Sequence, residues 1–401
     1  MRSPRLPNAV ILLAAIATAA CREEPTSPAG PSGPGPAAVT AAAALVFNQV
    51  SAGVEHACGV DTEGKAWCWG ANEFGELGIP AAASPDVCPS RPCSLRPVAV
   101  SGGLRFRLVA AGSQFTCGAT TGDEVYCWGR NDAGQLGTGS SATGNSTPAE
   151  IAGDRRYRQV RAGVGNQACA IATSRAAFCW GSGRLGNGSN FSRTPVLVGG
   201  HLDWAQLSVG ASYVCGITTT DNKAWCWGIN NQGQLGNGTT TARGGPGRSA
   251  VGLAVTQIEA GSGHTCAVLV SGRAFCWGAG VGVGDGSGTG RHVDPTPVAG
   301  TRRWDNVSAG VTQSCGVTLA GRGFCWGQGL AGELGNGSTD ARFTPTAVSG
   351  NLDFRVISAG FAFTCGLTEE GEARCWGDNS NGQLGDGSGI NRLQPVAVAA
   401  P

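Results

Sequence analysis

The sequence predicts an all-β, seven-bladed β-propeller built from repeats of about 50 residues. The tripeptide Cys-Trp-Gly recurs seven times, with its cysteine at positions 68, 127, 179, 226, 276, 325 and 375. A period near 50 residues is typical of propellers and solenoids. Glycine supplies 67 of the 401 residues and charged residues only 14%, a composition that excludes helix bundles and coiled coils. Short apolar runs bounded by Gly and polar clusters indicate β-strands.

Each repeat has the same internal order, which predicts four short strands. An aromatic residue lies six positions before a glycine in most repeats, as Phe47 does before Gly53. A first cysteine follows, then a polar turn, Cys-Trp-Gly, a loop ending in Leu-Gly-x-Gly or a variant of it, and a Pro-x-x-Val strand or a variant of it. Alternation along the strand places Trp67 and Trp69 on one face and the small Cys68 on the other. A strand that is bulky on one side and small on the other suits sheets stacked as blades.

The mode of ring closure stays open in the sequence. The repeat region begins with a first-strand element at residues 46–53 and ends with a last-strand element at residues 395–398. The two ends could complete one blade between them. An open β-solenoid is the alternative to a closed ring, although closed radial repetition leaves only short strand edges exposed.

The first 43 residues predict export and a tether. Residues 1–20 combine a basic start, an apolar run and small residues, as a signal peptide does. The four residues ending at Cys21 resemble the bacterial lipoprotein box, in which the cysteine becomes the lipidated first residue; ordinary signal-peptidase cleavage after residues 17–19 is the alternative. Residues 21–43 are rich in Pro, Gly and Ala and cannot bury a core. We therefore expect a disordered linker before a propeller at residues 44–401, with membrane attachment only through Cys21.

The 17 cysteines divide into fourteen within repeats, two in an insertion in the first repeat, and Cys21. Cysteines 10 or 11 residues apart on strands joined by a tight turn face each other across a hairpin, at a Cα separation of about 4.5 Å that a disulfide accepts. Free thiols and metal ligation are the alternatives, and metal is disfavoured because no Cys-x-x-Cys occurs and the nearby histidines are isolated. The predicted pairs are Cys58–Cys68, Cys88–Cys93, Cys117–Cys127, Cys169–Cys179, Cys215–Cys226, Cys266–Cys276, Cys315–Cys325 and Cys365–Cys375.

A resemblance to a known family is carried by residues 56–78 (HACGVDTEGKAWCWGANEFGELG), 115–137 (FTCGATTGDEVYCWGRNDAGQLG) and 363–385 (FTCGLTEEGEARCWGDNSNGQLG). They resemble the repeat of the regulator of chromosome condensation family. The resemblance covers residues 44–401 and implies a seven-bladed propeller. The family's best-known eukaryotic members are exchange factors for a small nuclear GTPase and bind chromatin, and its secreted bacterial relatives include a propeller that inhibits a β-lactamase. An exported chain would meet neither nuclear partner, so the resemblance implies a protein-binding surface without naming its partner.

The sequence contains no catalytic or cofactor motif in a suitable context. Two Gly-x-Gly-x-x-Gly strings, at residues 181–186 and 327–332, fall in loops after Cys-Trp-Gly and open no predicted helix, as phosphate binding would require. Residues 378–382 lack the spaced acidic ligands of a calcium loop, and the four histidines are too scattered to nominate a base. We expect no catalytic residue, no cofactor and no metal. A formal charge of +1 gives no bulk electrostatic reason to bind nucleic acid.

Irregular loops are the informative departures from the repeat. The first repeat has an insertion at residues 79–96, the third and fifth have shortened loops, and the fourth has a long stretch at residues 239–249. Because binding residues concentrate on loops held by a rigid scaffold, we expect a partner where these loops cluster, on one face. The candidate binding residues are Arg91, Arg184, Arg243, Arg248, Arg291 and His292.

These features together predict a non-enzymatic protein-binding scaffold of the bacterial cell envelope. We expect it to be exported and lipid-anchored, or otherwise secreted, and to bind a protein and no nucleic acid. A secreted inhibitor of an enzyme is the alternative function. A propeller hydrolase or lyase would need an acidic cluster in the central channel, which a sequence cannot display.

Overall fold

The computed structural model describes residues 45–249, 252 and 254–401. These residues form seven antiparallel sheets, six with four strands and one with five. The predicted signal peptide, Cys21 and the linker lie outside the described residues. Within the described part, no helix is long and apolar enough to cross a membrane.

Each sheet is one blade, and the blades follow one another along the chain. Blade 1 contains β1 (Phe47–Ala52), β2 (His56–Asp61), β3 (Ala66–Ala71), β4 (Asp86–Cys88) and β5 (Arg91–Ala99), with a short 3-10 helix at Ala81–Ala83. Blade 2 contains β6 (Phe106–Ala111), β7 (Phe115–Thr120), β8 (Val125–Arg130) and β9 (Gly144–Glu150). Blade 3 contains β10 (Tyr157–Ala162), β11 (Gln167–Ala172), β12 (Ala177–Ser182) and β13 (Phe191–Leu197). Blade 4 contains β14 (Trp204–Val209), β15 (Tyr213–Thr218), β16 (Ala224–Gly228) and β17 (Arg243–Arg248).

The last three blades keep the same order. Blade 5 contains β18 (Val255–Ala260), β19 (His264–Leu269), β20 (Ala274–Ala279) and β21 (Arg291–Pro297), with a 3-10 helix at Gly280–Gly282. Blade 6 contains β22 (Trp304–Ala309), β23 (Gln313–Thr318), β24 (Gly323–Gly327) and β25 (Arg342–Ala347). Blade 7 contains β26 (Phe354–Ala359), β27 (Phe363–Thr368), β28 (Ala373–Gly377) and β29 (Arg392–Ala397). The predicted all-β, seven-bladed propeller is confirmed.

Blades pack with the cysteine side of one against the tryptophan side of the next. Cys68 of blade 1 lies in one core cluster with Phe106 and Trp128 of blade 2. On the other side of blade 1, Trp69 packs with Phe363 of blade 7. The alternation of large and small side chains along the third strand therefore builds every interface from one large and one small surface.

One hydrogen bond recurs at all seven blade interfaces. The indole N–H of each Cys-Trp-Gly tryptophan donates to a backbone carbonyl of the preceding blade, at 2.9–3.1 Å. Two residues after each acceptor residue comes a glycine against which the indole packs. At Gly236, where φ is +60°, a Cβ would lie 2.6 Å from Trp277 Nε1. The donor and acceptor residues are Trp69–Gln383, Trp128–Glu76, Trp180–Gln135, Trp227–Arg184, Trp277–Gln234, Trp326–Gly282 and Trp376–Glu333.

The ring closes by packing between blades 1 and 7, without a shared strand. The first and last of the described strands, β1 and β29, belong to separate sheets. Across this interface Trp69 Nε1 donates to the carbonyl of Gln383 at 2.9 Å, and the amide of Phe47 donates to the carbonyl of Gly371 at 2.8 Å. Both bonds have counterparts at the other interfaces. Each chain end therefore completes its own blade, and the chain is a closed ring and not an open solenoid.

Eight disulfide bonds join the cysteine pairs that the sequence predicts. Seven of them link facing residues of the second and third strands, with Cα atoms 4.0–4.1 Å apart. The eighth, Cys88–Cys93, joins β4 to β5 inside the insertion, with Cα atoms 5.8 Å apart. Disulfides in this number fit an oxidising compartment.

The indole hydrogen bond can be tested on two tryptophans of one strand. Trp227→Phe keeps an aromatic ring but removes one of the two donors to the carbonyl of Arg184, the other being the side-chain amide of Gln167 at 3.0 Å. We expect this loss to destabilise the fold by about 1 kcal/mol. Trp225→Phe is the matched control, because the Trp225 Nε1 has no hydrogen-bond partner among the described residues. Urea unfolding of the oxidised proteins, followed by near-UV circular dichroism, compares the two. Equal unfolding midpoints would contradict the assigned role.

Candidate binding face

The propeller has two unlike faces, because antiparallel strands return the chain to alternate ends of each blade. Connections that follow the first and third strands of the blades lie at one end, which we call the loop face. Connections that follow the second and fourth strands lie at the other end, the turn face. The insertion at residues 79–96 and the two shortened loops all follow third strands, so they lie together on the loop face.

The insertion of blade 1 reaches across the closure of the ring. The guanidinium of Arg91 donates two hydrogen bonds to Glu55, at 2.9 and 2.8 Å. It donates two more to Asn381 Oδ1 of blade 7, at 3.0 and 2.7 Å. The hydrogen bond with Glu55 raises the pKa of Arg91 above its usual value. Because Cys88–Cys93 staples the loop that carries Arg91, a cross-linked loop bridges blade 1 to blade 7.

A cavity of 520 Å³ opens beside this bridge. Its wall includes the carboxylates of Glu55, Glu73 and Asp378, and the ring of Phe361. Glu73 lies 3.8 Å from the Arg91 guanidinium. The cavity therefore combines an acidic wall, one neutralised arginine and an aromatic ring that is 46% exposed.

The loop face also has exposed apolar side chains that are not among the binding residues predicted from the sequence. Leu330, in the third-to-fourth loop of blade 6, is 78% exposed, and Ile390 in the corresponding loop of blade 7 is also exposed. A signal for Leu330 exists in the repeat alignment, since its position is polar in the other blades whose loops have the common length. The residues at that position are Glu73, Asp132, Asn231 and Ser380.

Three of the candidate arginines lie on the loop face of the adjacent blades 3, 4 and 5. Arg243 and Arg291 are exposed and begin the outermost strands of blades 4 and 5, and Arg184 is half-buried in the loop of blade 3. The Arg243 guanidinium lies along its own strand, where a Cβ on residue 247 would be 1.4 Å from Nη1. These arginines stand apart from Arg91, which the ring closure engages.

His292 is the second residue of β21, the outermost strand of blade 5, and is held by neighbouring side chains. Its Nδ1 lies 3.2 Å from Thr296 Oγ1 and its Nε2 lies 3.2 Å from Ser287 Oγ. Asp285 Oδ2 is 3.7 Å from Nε2. The imidazole is half-buried, so it supports the loop more than it presents itself to a partner.

Arg248 lies away from the other five candidates, toward the turn face. Residues 239–249, expected as a long loop, contain strand β17, in which Arg243 pairs with Gly228 and Arg248 with Trp225 at the other end. Arg248 forms an ion pair with Asp221 at 2.6 Å, and its guanidinium lies 5.5 Å from the centre of the Trp225 ring. The Gly- and Pro-rich segment still pairs because it is an edge strand, where proline is tolerated.

Buried polar residues support the loop face from below. Most blades place Gln or Glu just before the Leu-Gly step, and its side-chain oxygen accepts a backbone N–H two residues earlier, as Glu76 does from Phe74 at 2.7 Å. Gln135 accepts in the same way from Ala133 at 2.9 Å. Burial raises the pKa of Glu76 to about 7 and also raises the pKa of Glu333. A pKa of about 7 makes the charge of Glu76 depend on pH near neutrality.

The central channel has a volume of 360 Å³ and is lined by the first strands. Its described lining includes one carboxylate, Glu259, whose pKa burial raises. Glu259 accepts hydrogen bonds from Gln206 and Ser208, at 3.2 and 3.0 Å. The acidic cluster that an enzymatic channel would need is not found among these lining residues, and no group of three or more potential metal ligands occurs in the described part of the chain.

The repeat units match a known family model. A model of the regulator of chromosome condensation (RCC1) repeat matches residues 63–119, 123–171, 221–268 and 320–367, and a second model of this repeat matches residues 47–76, 106–135, 204–234 and 354–383. The chain belongs to the regulator of chromosome condensation repeat family. The family resemblance that the sequence carries is thereby confirmed.

Relatives of this RCC1-repeat chain include longer proteins. The chain is 28% identical over 153 residues to the probable E3 ubiquitin-protein ligase HERC6 of Homo sapiens, and the aligned region covers 38% of this chain and 14% of that protein. It is 28% identical over 158 residues to the ultraviolet-B receptor UVR8 of Arabidopsis thaliana, which covers 38% of this chain and 34% of that protein. The matched region is thus a minor part of each relative's length.

Solved propellers share the fold. Human WBSCR16 superposes with a TM-score of 0.73 at 19% identity, covering 84% of this chain and 94% of that one. Prp20p of Saccharomyces cerevisiae superposes with a TM-score of 0.72 at 21% identity, covering 88% of this chain and 87% of that one. At such identities the likeness shows the RCC1-type propeller fold alone.

The Arg91 bridge predicts a local and not a global effect. Arg91→Gln removes the paired contact with Glu55 and the contact with blade 7, so we expect amides in residues 86–93 to exchange about threefold to tenfold faster, as loss of a charge-assisted pair implies. Arg342→Gln is the control, since Arg342 also begins a strand at the loop face but forms its ion pair with Asp340 of its own blade. Hydrogen-exchange mass spectrometry makes the measurement. Unchanged exchange in Arg91→Gln would show that the insertion stands without the bridge.

Glu76 predicts a pH dependence of stability. Its pKa rises from 4.5 to about 7 on folding, so the folded state binds more protons, and stability falls as pH rises through that window. Glu76→Gln, which installs the residue of blades 2, 4 and 7, should remove on the order of 2 kcal/mol of this fall between pH 5 and 8. Gln135→Glu should introduce a similar fall. Urea unfolding midpoints are measured at pH 5 and pH 8. Equal losses of stability between these two pH values in wild type and Glu76→Gln would contradict the assignment.

Proposed function

We propose that this chain is a non-enzymatic protein-binding scaffold of the bacterial cell envelope, which presents its loop face to a protein partner. A disulfide-stabilised RCC1-repeat propeller suits this task, because a rigid ring holds variable loops at fixed positions. A lipid on Cys21 and a linker through residue 43 would hold the propeller at a membrane surface. Export and anchoring rest on the sequence pattern of residues 1–43.

The observation that carries the proposal is the composition of the loop face where blades 6, 7 and 1 meet. Phe361 is exposed beside the cavity, and Leu330 is exposed in a loop of the adjacent blade 6. Exposed apolar side chains beside polar groups on a rigid surface indicate an interaction site. Glu55, Glu73 and Asp378 line the cavity next to Phe361. A protein surface with an apolar anchor flanked by basic side chains would complement this region.

Similar propellers are consistent with binding to proteins. The structure of Prp20p was described together with its binding to Gsp1p and histones, and yeast RCC1 has been crystallised bound to Kap60. The relatives named as ubiquitin ligases extend far beyond the region matched here. We therefore propose binding, and no ubiquitin-ligase chemistry, for the present chain.

Two exposed leucines on opposite faces of blade 6 provide the test. A photo-crosslinking amino acid replaces Leu330 on the loop face or Leu319, which follows β23 on the turn face and is 67% exposed. Illumination of intact cells should join a protein to position 330 and none to position 319. The crosslinked protein is then purified, and its affinity should fall at least tenfold for Leu330→Ser but stay unchanged for Leu319→Ser.

Several outcomes would count against the scaffold. Equal crosslinking from both positions, or equal affinity losses, would refute the loop face as the binding surface. Loss of a hydrolase activity when the captured partner is bound would identify the alternative function, an enzyme inhibitor. Wild-type protein in the membrane fraction and Cys21→Ser in the soluble fraction would support the anchor in the same cells, whereas an unchanged distribution would refute it.

A further inference from the structure

The turn face repeats a pair of facing positions at every blade junction. One position precedes the third strand of a blade, and the other precedes the first strand of the next blade. At the junction of blades 2 and 3 these positions hold Glu124 and Arg156, whose charged atoms are 2.8 Å apart. At the junction of blades 6 and 7 they hold Arg322 and Asp353, 3.6 Å apart. Opposite charges thus meet at two junctions of this face.

The junction of blades 5 and 6 departs from this arrangement. Its two facing positions both hold arginine, Arg273 and Arg303, and a third arginine, Arg302, adjoins them. The junction of blades 1 and 2 also pairs two cations, Lys65 and Arg105, but a leucine occupies its third position.

The three arginines at the junction of blades 5 and 6 are exposed and line a pocket of 240 Å³ together with Gly300 and Thr301. The lining contains no carboxylate, and none of these arginines forms an ion pair with another described residue.

Neutral neighbours hold the three guanidinium groups in place. The Arg302 guanidinium lies 4.2 Å from the centre of the Phe324 ring, and that of Arg273 lies 5.2 Å from the centre of Phe275. Arg303 Nη1 donates to the carbonyl of Ser271. Rings and carbonyls orient a guanidinium without cancelling its charge. The pocket therefore gathers like charges and leaves guanidinium donors free.

Two sequence differences create this pocket. The residue two positions before the first strand is Arg302 in blade 6 but a leucine in five other blades, at positions 45, 104, 202, 253 and 352. Position 273 corresponds to Glu124 in blade 2, where the acid neutralises the facing arginine. The glycine at 300 leaves room for the arginine, since a Cβ there would lie 3.0 Å from Arg302 Nη1.

We propose that this pocket binds a tetrahedral oxyanion, the phosphate or sulfate group of a small ligand. Guanidinium forks match such groups because each can donate two parallel hydrogen bonds. A dianion offsets more of the charge of three arginines than a carboxylate does, and it offers more acceptor atoms. The site lies on the turn face, so a ligand there leaves the loop face free for a protein.

The test measures binding of sodium phosphate, sulfate and acetate by isothermal titration calorimetry at pH 7, with ionic strength held constant by sodium chloride. We expect saturable binding of phosphate or sulfate that exceeds that of acetate. Arg302→Leu installs the residue of five other blades, and Arg273→Glu recreates the pair seen between Glu124 and Arg156. Each should weaken oxyanion binding at least tenfold while the protein stays folded by circular dichroism.

Arg155→Leu is the matched control. Arg155 has the position of Arg302 at the junction of blades 2 and 3, and its guanidinium lies 4.6 Å from the centre of the Phe178 ring. There Glu124 neutralises the facing Arg156, so this variant should bind the oxyanion as the wild type does. Preference for phosphate over sulfate, or the reverse, identifies which ester the pocket serves. Equal losses in the control and the pocket variants, or no saturable binding by wild type, would overturn the proposal.

Discussion

The hydrogen bond from each Cys-Trp-Gly indole to the preceding blade is the constraint on which the rest of the structure depends. It fixes the spacing between blades, because a buried indole N–H without an acceptor costs free energy. The glycine beneath the indole and the small cysteine surface opposite it both follow from the size of this ring. Trp69 donates to the carbonyl of Gln383 in the same way, so the hydrogen bond found at every other interface also forms between blades 1 and 7, where the ring closes.

Features that repeat in every blade could be predicted from the sequence, whereas contacts that form only once, between distant parts of the chain, could not. The intrablade disulfide partners are neighbours in a hairpin, and they can be predicted because a spacing of ten residues recurs in six blades and one of eleven in the fourth. The contact of Arg91 with Asn381 joins residues 290 positions apart, and only the closed ring brings them together. Arg248 illustrates a second limit, because its placement depends on strand pairing in a segment whose Gly and Pro content predicts a loop.

The two faces of the propeller differ in how much their connections vary from blade to blade. Inserted, shortened and apolar-tipped loops concentrate on the loop face, whereas the turn face keeps nearly uniform connections. Because the backbone of these connections is nearly the same at every junction, the side chains of one junction can be compared directly with those of another. The junction of blades 2 and 3 pairs Glu124 with Arg156, whereas the junction of blades 5 and 6 gathers three arginines, so the two differ in charge and not in backbone.

The disulfides act within blades, so they do not hold the ring together. Each restricts a short loop of the unfolded chain, and none crosses a blade interface. The junction of blades 7 and 1 is the one between described blades that no chain connection spans, and there the stapled insertion adds the Arg91 bridge. A partner seated on both blades at this position would bind the closed ring in preference to an opened one. By linkage, such a partner would stabilise the closure in proportion to its affinity.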